Sequence, residues 1–219
     1  VILMFFLHSL TGLESSLIAI AGAFLLLLIG FGSLLSMFPF HSWSPDGYAG
    51  APTAVSMIHA GVLKKIGGYG LIRIGLLVLP LGAKFWAPLI AFLAMCNVLY
   101  AAYIALVQKD LKYVVGYSSV SHMGYVLLGF AALNVVSVSG AVANMVAHGV
   151  MSALFFAMIG FIYEKTHLRT VDDLKGLAYQ MPRLATGFML AGMASLGTRP
   201  HFLMMFMANG YQPPSPMPS

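Results

Sequence analysis

Long, uninterrupted apolar runs dominate the chain, and short polar connections separate them. Most of these runs reach the length of about 20 residues that an α-helix needs to cross a bilayer. A transmembrane β-barrel would alternate apolar and polar positions with a period of two, and these runs do not alternate. The pattern therefore predicts an all-α, polytopic transmembrane helix bundle with about six spanning helices. Their predicted ranges are 16–38, 52–79, 85–108, 113–134, 137–163 and 183–197.

The connection between the first two predicted helices, residues 38–51, is rich in Pro, Gly and aromatic residues. Such residues break helical hydrogen bonding, and Asp46 followed by Gly47 is a turn signal. Trp43 and Tyr48 suit the boundary between membrane and water. We therefore expect an irregular loop at the membrane interface.

Basic residues concentrate in two other connections, the 109–112 turn and the 164–183 segment. By the positive-inside rule, this end of the bundle is expected to face the cytoplasm or its equivalent. Within the longer connection, residues 171–179 predict a short interfacial helix with acidic residues in its first turn.

Composition supports a membrane protein and excludes several other classes. The chain is 60% hydrophobic and 8% charged, whereas about a quarter of the residues in soluble domains are charged. Its net charge of +5 comes from scattered basic residues that flank apolar runs, so the expected partner is a lipid bilayer and not nucleic acid. The single cysteine, Cys96, excludes an internal disulfide and a cysteine-based metal or iron–sulfur site.

Motifs for bound nucleotides and metals are missing from the sequence. It contains no glycine-rich dinucleotide fingerprint, no P-loop and no H-E-x-x-H pattern. The histidines of the membrane region fall on separate elements at spacings that do not suit a ligand set, so we expect no metal or haem: His41, His59, His122 and His148.

The two ends differ from the middle of the chain. Residues 1–15 are interpreted as the end of an upstream helix and a connection, because the chain starts without Met and without a signal peptide. Residues 16–197 form the expected membrane domain. Residues 198–219 become Met-rich and then Pro- and Ser-rich, and are expected to be a disordered or frameshifted tail. We therefore expect a fragment of a longer protein.

Two adjacent lysines lie in the middle of the second predicted helix. A charge in the hydrocarbon core costs from about 3 to more than about 10 kcal/mol, so an ionisable residue there indicates a proton or ion pathway. Lys65 lies about 20 Å along the helix from Pro52, too deep to reach the interface easily. Gly61 and Gly68 on its face leave room for water or a close neighbour, and Lys65 is therefore the favoured proton carrier. Lys64 points about 100° away, and is either an alternative site or faces a polar seam.

Polar side chains also form stripes on the fourth and fifth predicted helices. Ser118 and His122 are four residues apart, and so are Asn144 and His148, which places each pair on one helix face. Such stripes face protein or water rather than lipid. They either relay protons, because the pKa of histidine lies near neutrality, or hold helices together by hydrogen bonds.

The remaining candidates have ordinary explanations beside functional ones. His59 either bonds a neighbouring helix or belongs to the relay. Lys112, at a helix end, would alone be a solvated topology marker. Asp46, close to His41 in sequence, would alone be a turn residue.

Together these stretches resemble a known family. FPFHSWSPDGYAGAPTAVSMIHAGVLKKIGGYGLIR, QKDLKYVVGYSSVSHMGY and LKGLAYQMPRLATGFMLAGMASLG are similar, in this order, to the antiporter-like, proton-pumping membrane subunits of NADH:quinone oxidoreductase (complex I). The resemblance covers residues 16–197 and is strongest to subunit M, which is subunit 4 in mitochondria. It assigns a signature loop to five positions: His41, Trp43, Pro45, Asp46 and Pro52.

The resemblance implies one inverted-repeat half of a bundle of roughly fourteen helices, with a broken helix in each half. It implies a lateral proton path that runs from Lys65 to His122 to His148, driven by quinone reduction elsewhere in the complex. NADH, flavin, iron–sulfur clusters and quinone would be bound by other subunits, and none by this chain. Expected partners are the other membrane subunits of complex I, in a bacterial cell membrane or an organellar inner membrane.

Three features depart from the family pattern. A lysine usually stands seven residues before the signature histidine, where this chain has Leu34. Ser44 replaces the usual leucine, and the sequence after Gly197 loses the expected continuation. The alternatives are a subunit of a multisubunit Na⁺/H⁺ antiporter, a subunit of an energy-converting hydrogenase, or an inactive truncated remnant.

Overall fold

The computed structural model describes residues 13–174 and 181–195. It divides into two units, Val1–Gly176 and Leu177–Ser219. The described part of the second unit is one helix, α7 (Pro182–Ser195). The first unit contains α1 (Leu13–Leu35), α2 (Trp43–Gly50), a continuous helix α3 that begins at Thr53, α4 (Pro80–Val107), α5 (Leu111–Ala131), α6 (Val135–Thr166) and a 3₁₀ turn (Val171–Leu174).

Helix α3 is not a regular α-helix. It consists of Thr53–Ile58, a π-helical segment His59–Leu63, an α-helical segment Lys64–Gly70 and a second π-helical segment Leu71–Leu76. π-helical segments insert one extra residue per turn and are often found at functional sites. The first of them ends directly before the lysine pair.

The described part of the chain confirms the all-helical prediction. Three helices are long and apolar enough to cross a membrane: Leu17–Leu35, Pro80–Val107 and Val135–Thr166. Large apolar side chains such as Leu26, Leu106 and Val135 point outward, as expected for a surface that contacts lipid. Helices α3, α5 and α6 carry the polar side chains of the candidate site.

Most predicted helix boundaries agree within a few residues, but two of them need correction. The third helix begins at Pro80 rather than residue 85. The predicted helix 171–179 is a 3₁₀ turn at Val171–Leu174, and its remainder lies outside the described residues. The predicted upstream stub before residue 13 and the tail 198–219 also lie outside the described residues.

A break in the helical structure at residues 36–42 separates α1 from α2. Helix α1 ends inside the bundle, because Leu35, Ser36 and Met37 are fully buried. A Cβ added at Gly67, near the middle of α3, would lie 2.6 Å from the carbonyl oxygen of Phe31 in α1.

The expectation of an irregular loop over residues 38–51 is wrong, because residues 43–50 form the helix α2. Asp46 and Gly47 lie inside α2 and form no turn, and Tyr48 is buried. Pro45 is tolerated because it falls in the first turn of α2, where the backbone N–H needs no helical partner. The composition correctly indicated a helix break, but the break spans 36–42, and its first two residues, Ser36 and Met37, are buried.

Asn97 of α4 supplies the hydrogen bonds that the break lacks. Its Oδ1 accepts from the backbone N–H of Phe38 at 2.5 Å, and its Nδ2 donates to the carbonyl of Ser36 at 3.0 Å. Irregular backbone at membrane depth is tolerated only where protein or a water-filled cavity satisfies it. Asn97 was missed in the sequence, although it is a lone amide within an apolar helix.

Replacing Asn97 with leucine, a side chain of similar volume, is expected to destabilise the protein. The change leaves the Phe38 N–H and the Ser36 carbonyl without their partner, at about 1–3 kcal/mol for each buried group. We expect a lower thermal unfolding midpoint in detergent. Met95→Leu on the exposed face of α4 is the matched control, and an Asn97→Leu protein as stable as this control would contradict the assignment.

Candidate functional site

Lys65 of α3 and His148 of α6 form the central contact of the candidate site. The Lys65 Nζ lies 2.9 Å from the Nδ1 of His148. His148 is only 2% exposed, whereas Lys65 is half-buried and lines an apolar groove between α3 and α6. A primary amine and an imidazole at this separation are within direct proton-transfer distance.

The π-helical segment gives Lys65 a second partner. In a regular α-helix the Lys64 backbone N–H would bond the Ala60 carbonyl, but here it bonds the His59 carbonyl. The Ala60 carbonyl instead accepts a hydrogen bond from the Lys65 ammonium. The irregular turn therefore positions Lys65 through a backbone acceptor that a regular helix would have used internally.

Two glycines allow α3 and α6 to approach closely enough for this contact. A Cβ added at Gly149 would lie 2.7 Å from the carbonyl oxygen of Gly61, and 3.6 Å from Cε of Lys65. Gly149 follows His148 directly, so the same close approach sets the distance between the histidine and Lys65. The space that Gly61 leaves for a close neighbour, as predicted, is taken up by α6.

His148 also contacts α5. Its ring centroid lies 5.3 Å from that of His122. Ser152 fixes His148 from one turn further along α6, because its hydroxyl lies 3.1 Å from Nδ1 and 2.7 Å from the His148 carbonyl. Asn144 makes only a long contact of 3.5 Å, from its Nδ2 to the carbonyl of His122.

The order of this row differs from the expected one. The sequence predicted Lys65, then His122, then His148, but the structure places His148 between the other two. The reason is that α6 packs directly against the Gly61 face of α3, whereas α5 contacts α6 from the other side. We call Lys65, His148 and His122 the lateral row.

Lys64 faces away from the lateral row. It is 0% exposed, and its Nζ lies 3.1 Å from Ser44 Oγ of α2 and 3.2 Å from Ser119 Oγ of α5. The polar-seam interpretation is the one that this geometry matches. Lys64 is thus more deeply buried than Lys65, and its partner on α5 is Ser119. The neighbouring Ser118, a candidate from the predicted polar stripe, is half-buried.

Two other predicted residues lie outside the lateral row. The His59 ring contacts the rings of Trp43 at 5.2 Å and Tyr48 at 5.5 Å, edge to face in both cases. Lys112, a candidate for the proton pathway, does not match its ordinary explanation as a solvated end marker, because it is 7% exposed and its Nζ donates to the Ala51 carbonyl at 2.7 Å.

The signature loop packs around the helix break. His41 is buried, and its ring stacks on Phe38 at 5.7 Å and meets the edge of Tyr100 at 5.3 Å. Trp43 donates from Nε1 to the Ser33 carbonyl at 3.0 Å, which ties α2 back to α1. Asp46 is exposed. Pro52 directly precedes α3. The described contacts of this loop are therefore mainly structural.

No group of three or more His, Cys, Asp or Glu side chains is arranged to hold a metal ion among the described residues. The chemistry that the lateral row supports is movement of a proton between nitrogen atoms. Ser119 and Ser152 lie on the same polar stripes as His122 and His148 but were not chosen as site residues. The contacts of Ser119 and Asn97 could not be predicted, because their partners lie far away in sequence.

A family profile and curated relatives both match this chain. The sequence profile of the family described as "NADH:quinone oxidoreductase/Mrp antiporter, TM" matches residues 3–211. The chain is 44% identical over 170 residues to "NAD(P)H-quinone oxidoreductase chain 4 2" of Microcystis aeruginosa, which covers 78% of this chain and 31% of that protein. It is 40% identical over 171 residues to "NADH-quinone oxidoreductase subunit M" of Rickettsia prowazekii, covering 78% of this chain and 35% of that protein.

The fold also matches a solved structure. A chain of "Respiratory complex I from Thermus thermophilus with bound NADH" superposes with a TM-score of 0.73 at 24% identity, covering 93% of this chain and 50% of that chain. This likeness shows the fold. The chain spans about a third of the length of the two curated relatives.

Proposed function

Because the chain belongs to the NADH:quinone oxidoreductase/Mrp antiporter transmembrane family, we propose that it takes part in proton translocation as a non-redox membrane subunit of NADH:quinone oxidoreductase. The lateral row of Lys65, His148 and His122 carries this proposal. The family description covers antiporters as well, but the curated relatives are named as quinone oxidoreductase subunits.

The lateral row supplies proton carriers on three helices. When the Lys65 ammonium donates to His148, the Nδ1 of His148 is the acceptor and its Nε2 carries the hydrogen. Transfer of the proton leaves a neutral amine on Lys65 and an imidazolium on His148. Loss of the Nε2 proton towards His122 then restores neutral histidine in its other tautomer.

The separation between His148 and His122 is wider than that between Lys65 and His148. Ring centroids 5.3 Å apart at an interplanar angle of 52° leave the nitrogen atoms to be joined by a ring rotation or by one water molecule. The Ser152 hydroxyl lies 3.1 Å from Nδ1 and 3.2 Å from Nε2, and it positions the ring of His148. The path would thus run parallel to the membrane, from α3 through α6 to α5.

Cofactors and partners follow from the same proposal. NADH, flavin, iron–sulfur clusters and quinone would be bound by other subunits, and energy from quinone reduction would reach this subunit through contacts with other membrane subunits. The described helices would belong to one inverted-repeat half of a roughly fourteen-helix subunit, in which α1 and α2 are the broken helix.

Replacing Lys65 with methionine tests the proposal in vesicles that contain the whole complex. We expect the proton uptake per NADH oxidised to fall, because the proton transfer that Lys65 supports slows by about 10²-fold or more. Proton uptake is followed with a pH-sensitive dye, and NADH oxidation by absorbance. Lys84→Met, at an exposed lysine of α4, is the matched control. A wild-type ratio in the Lys65→Met complex would show that the lateral row carries no protons.

A further inference from the structure

Lys64 lies at the centre of a second polar cluster, separate from the lateral row. Ser44 of α2 and Ser119 of α5 accept hydrogen bonds from its Nζ at 3.1 and 3.2 Å. The Nζ also lies 5.5 Å from the centroid of the Tyr48 ring. All four residues are buried. We call Lys64, Ser44, Ser119 and Tyr48 the α2–α5 cluster.

The cluster contains a third hydroxyl besides the two serines. The Tyr48 hydroxyl is buried beside the hydroxyls of Ser44 and Ser119, although no hydrogen bond of normal geometry joins it to a described residue. Buried hydroxyls normally have a partner or an ordered water. Small rotations of the three hydroxyls would therefore let Tyr48 take part in the hydrogen bonding around the amine.

The surroundings of Lys64 suit both of its protonation states. Among the described residues no carboxylate forms an ion pair with it, so no fixed negative charge holds the proton in place. Serine hydroxyls accept from an ammonium and donate to a neutral amine by rotating. A buried lysine that served only as a fixed cation would need a partner charge, because an uncompensated buried ion costs several kcal/mol.

The cluster is coupled to the lateral row through the chain itself. Lys64 and Lys65 are consecutive residues that face α5 and α6 respectively. Two neighbouring ammonium groups in surroundings of low dielectric repel each other strongly. A proton on Lys64 therefore disfavours a proton on Lys65.

We propose that the α2–α5 cluster is a second proton-holding site whose loading drives the proton of Lys65 onto His148. A proton arriving from water converts the Lys64 amine to an ammonium. The N–H bond of Lys65 then breaks, the electron pair stays on its nitrogen, and an N–H bond forms at Nδ1 of His148. This inference rests on the proposed function, because it assigns a trigger to the first transfer of the lateral row.

Two substitutions of Lys64, measured in vesicles with the whole complex, test this site. Lys64→Met removes the proton-holding group, and Lys64→Arg retains a charge that cannot be released, because arginine stays protonated in proteins. We expect both to lower proton uptake per NADH oxidised, because the transfer from Lys65 to His148 slows by about 10²-fold or more. Retention of the wild-type ratio in either variant would overturn the proposal. A wild-type ratio in Lys64→Arg would show that Lys64 serves as a fixed cation, and a wild-type ratio in Lys64→Met would show that it only fills space.

A second variant keeps the test decisive if the Lys64 variants do not assemble. Combined Ser44→Ala and Ser119→Ala changes keep the amine but remove the acceptors of its ammonium, so we expect the pH dependence of proton uptake to move to lower pH. Ser42→Ala, at an exposed serine, is the control. An unchanged pH profile in the double variant would contradict the proposal.

Lys65→Met measured in parallel separates the two claims. If proton uptake per NADH oxidised is low in Lys65→Met but wild-type in Lys64→Met, the proposed function stands and the proton-holding role of the α2–α5 cluster is overturned. A wild-type ratio with Lys65→Met would overturn the proposed function itself.

Discussion

His148→Gln is expected to produce the largest loss of proton translocation among single substitutions in this chain. Glutamine retains hydrogen-bonding capacity near Lys65, whose Nζ lies 2.9 Å from His148 Nδ1, but it has no nitrogen that takes up a proton near neutral pH. His148 touches both other members of the lateral row, so its loss interrupts the path at both steps. A positioned acid–base group commonly contributes about 10²–10⁴-fold to a proton transfer.

The measurement is proton uptake per NADH oxidised in vesicles that contain the whole complex. His167→Gln is the matched control, because His167 lies directly after the same helix and is exposed. The assembled amount of each complex is determined alongside, so that lost activity is not confused with lost protein. A His148→Gln complex with the wild-type ratio would exclude His148 from the proton path.

Gly149→Ala is expected to have the second-largest effect, because the new methyl group meets backbone rather than a flexible side chain. Its Cβ would lie 2.7 Å from the Gly61 carbonyl oxygen, so α3 and α6 must move apart. Overpacking of this kind costs about 1–3 kcal/mol. The same movement separates Lys65 from His148, and we expect stability and proton uptake per NADH oxidised to fall together.

Gly140→Ala provides the control on the same helix. A Cβ at Gly140 meets nothing within 4 Å, and alanine is a better helix former than glycine by up to about 1 kcal/mol. Gly140→Ala is therefore expected to retain or raise the thermal unfolding midpoint and to leave proton uptake unchanged. Equal behaviour of the two variants would show that the close approach of α3 and α6 is not needed.

The sequence was sufficient to predict the helices and the candidate side chains, because both depend on local patterns. Apolar runs predict spanning helices without knowledge of their neighbours. A lysine in such a run, Lys65, and a polar stripe around His148 stand out against an apolar background. Their mutual contact was not predictable in detail, since it depends on which helix packs against the Gly61 face.

Two features were beyond sequence analysis for a physical reason. The relative burial of Lys64 and Lys65 depends on the π-helical segment at His59–Leu63, which no residue preference specifies. A loop was expected over residues 38–51, whereas the break covers residues 36–42, and Asn97, about 60 residues away in sequence, satisfies its backbone. Interactions between distant residues override local signals in both cases.

Helices α5 and α6 are fastened to each other at both ends. At one end three residues, 132–134, connect them. At the other end Arg169 Nε lies 2.6 Å from Asp110 Oδ2, and the Leu111 N–H donates to the Arg169 carbonyl at 3.1 Å. His122 and His148 therefore lie on one hairpin, and Lys65 lies outside it on α3. A sliding motion of the hairpin along α3 would keep the two histidines together and would lengthen both contacts that the lysine pair makes to it, Lys65–His148 and Lys64–Ser119. Lys65–His148 is thus the contact of the lateral row that small shear between packed helices would make or break.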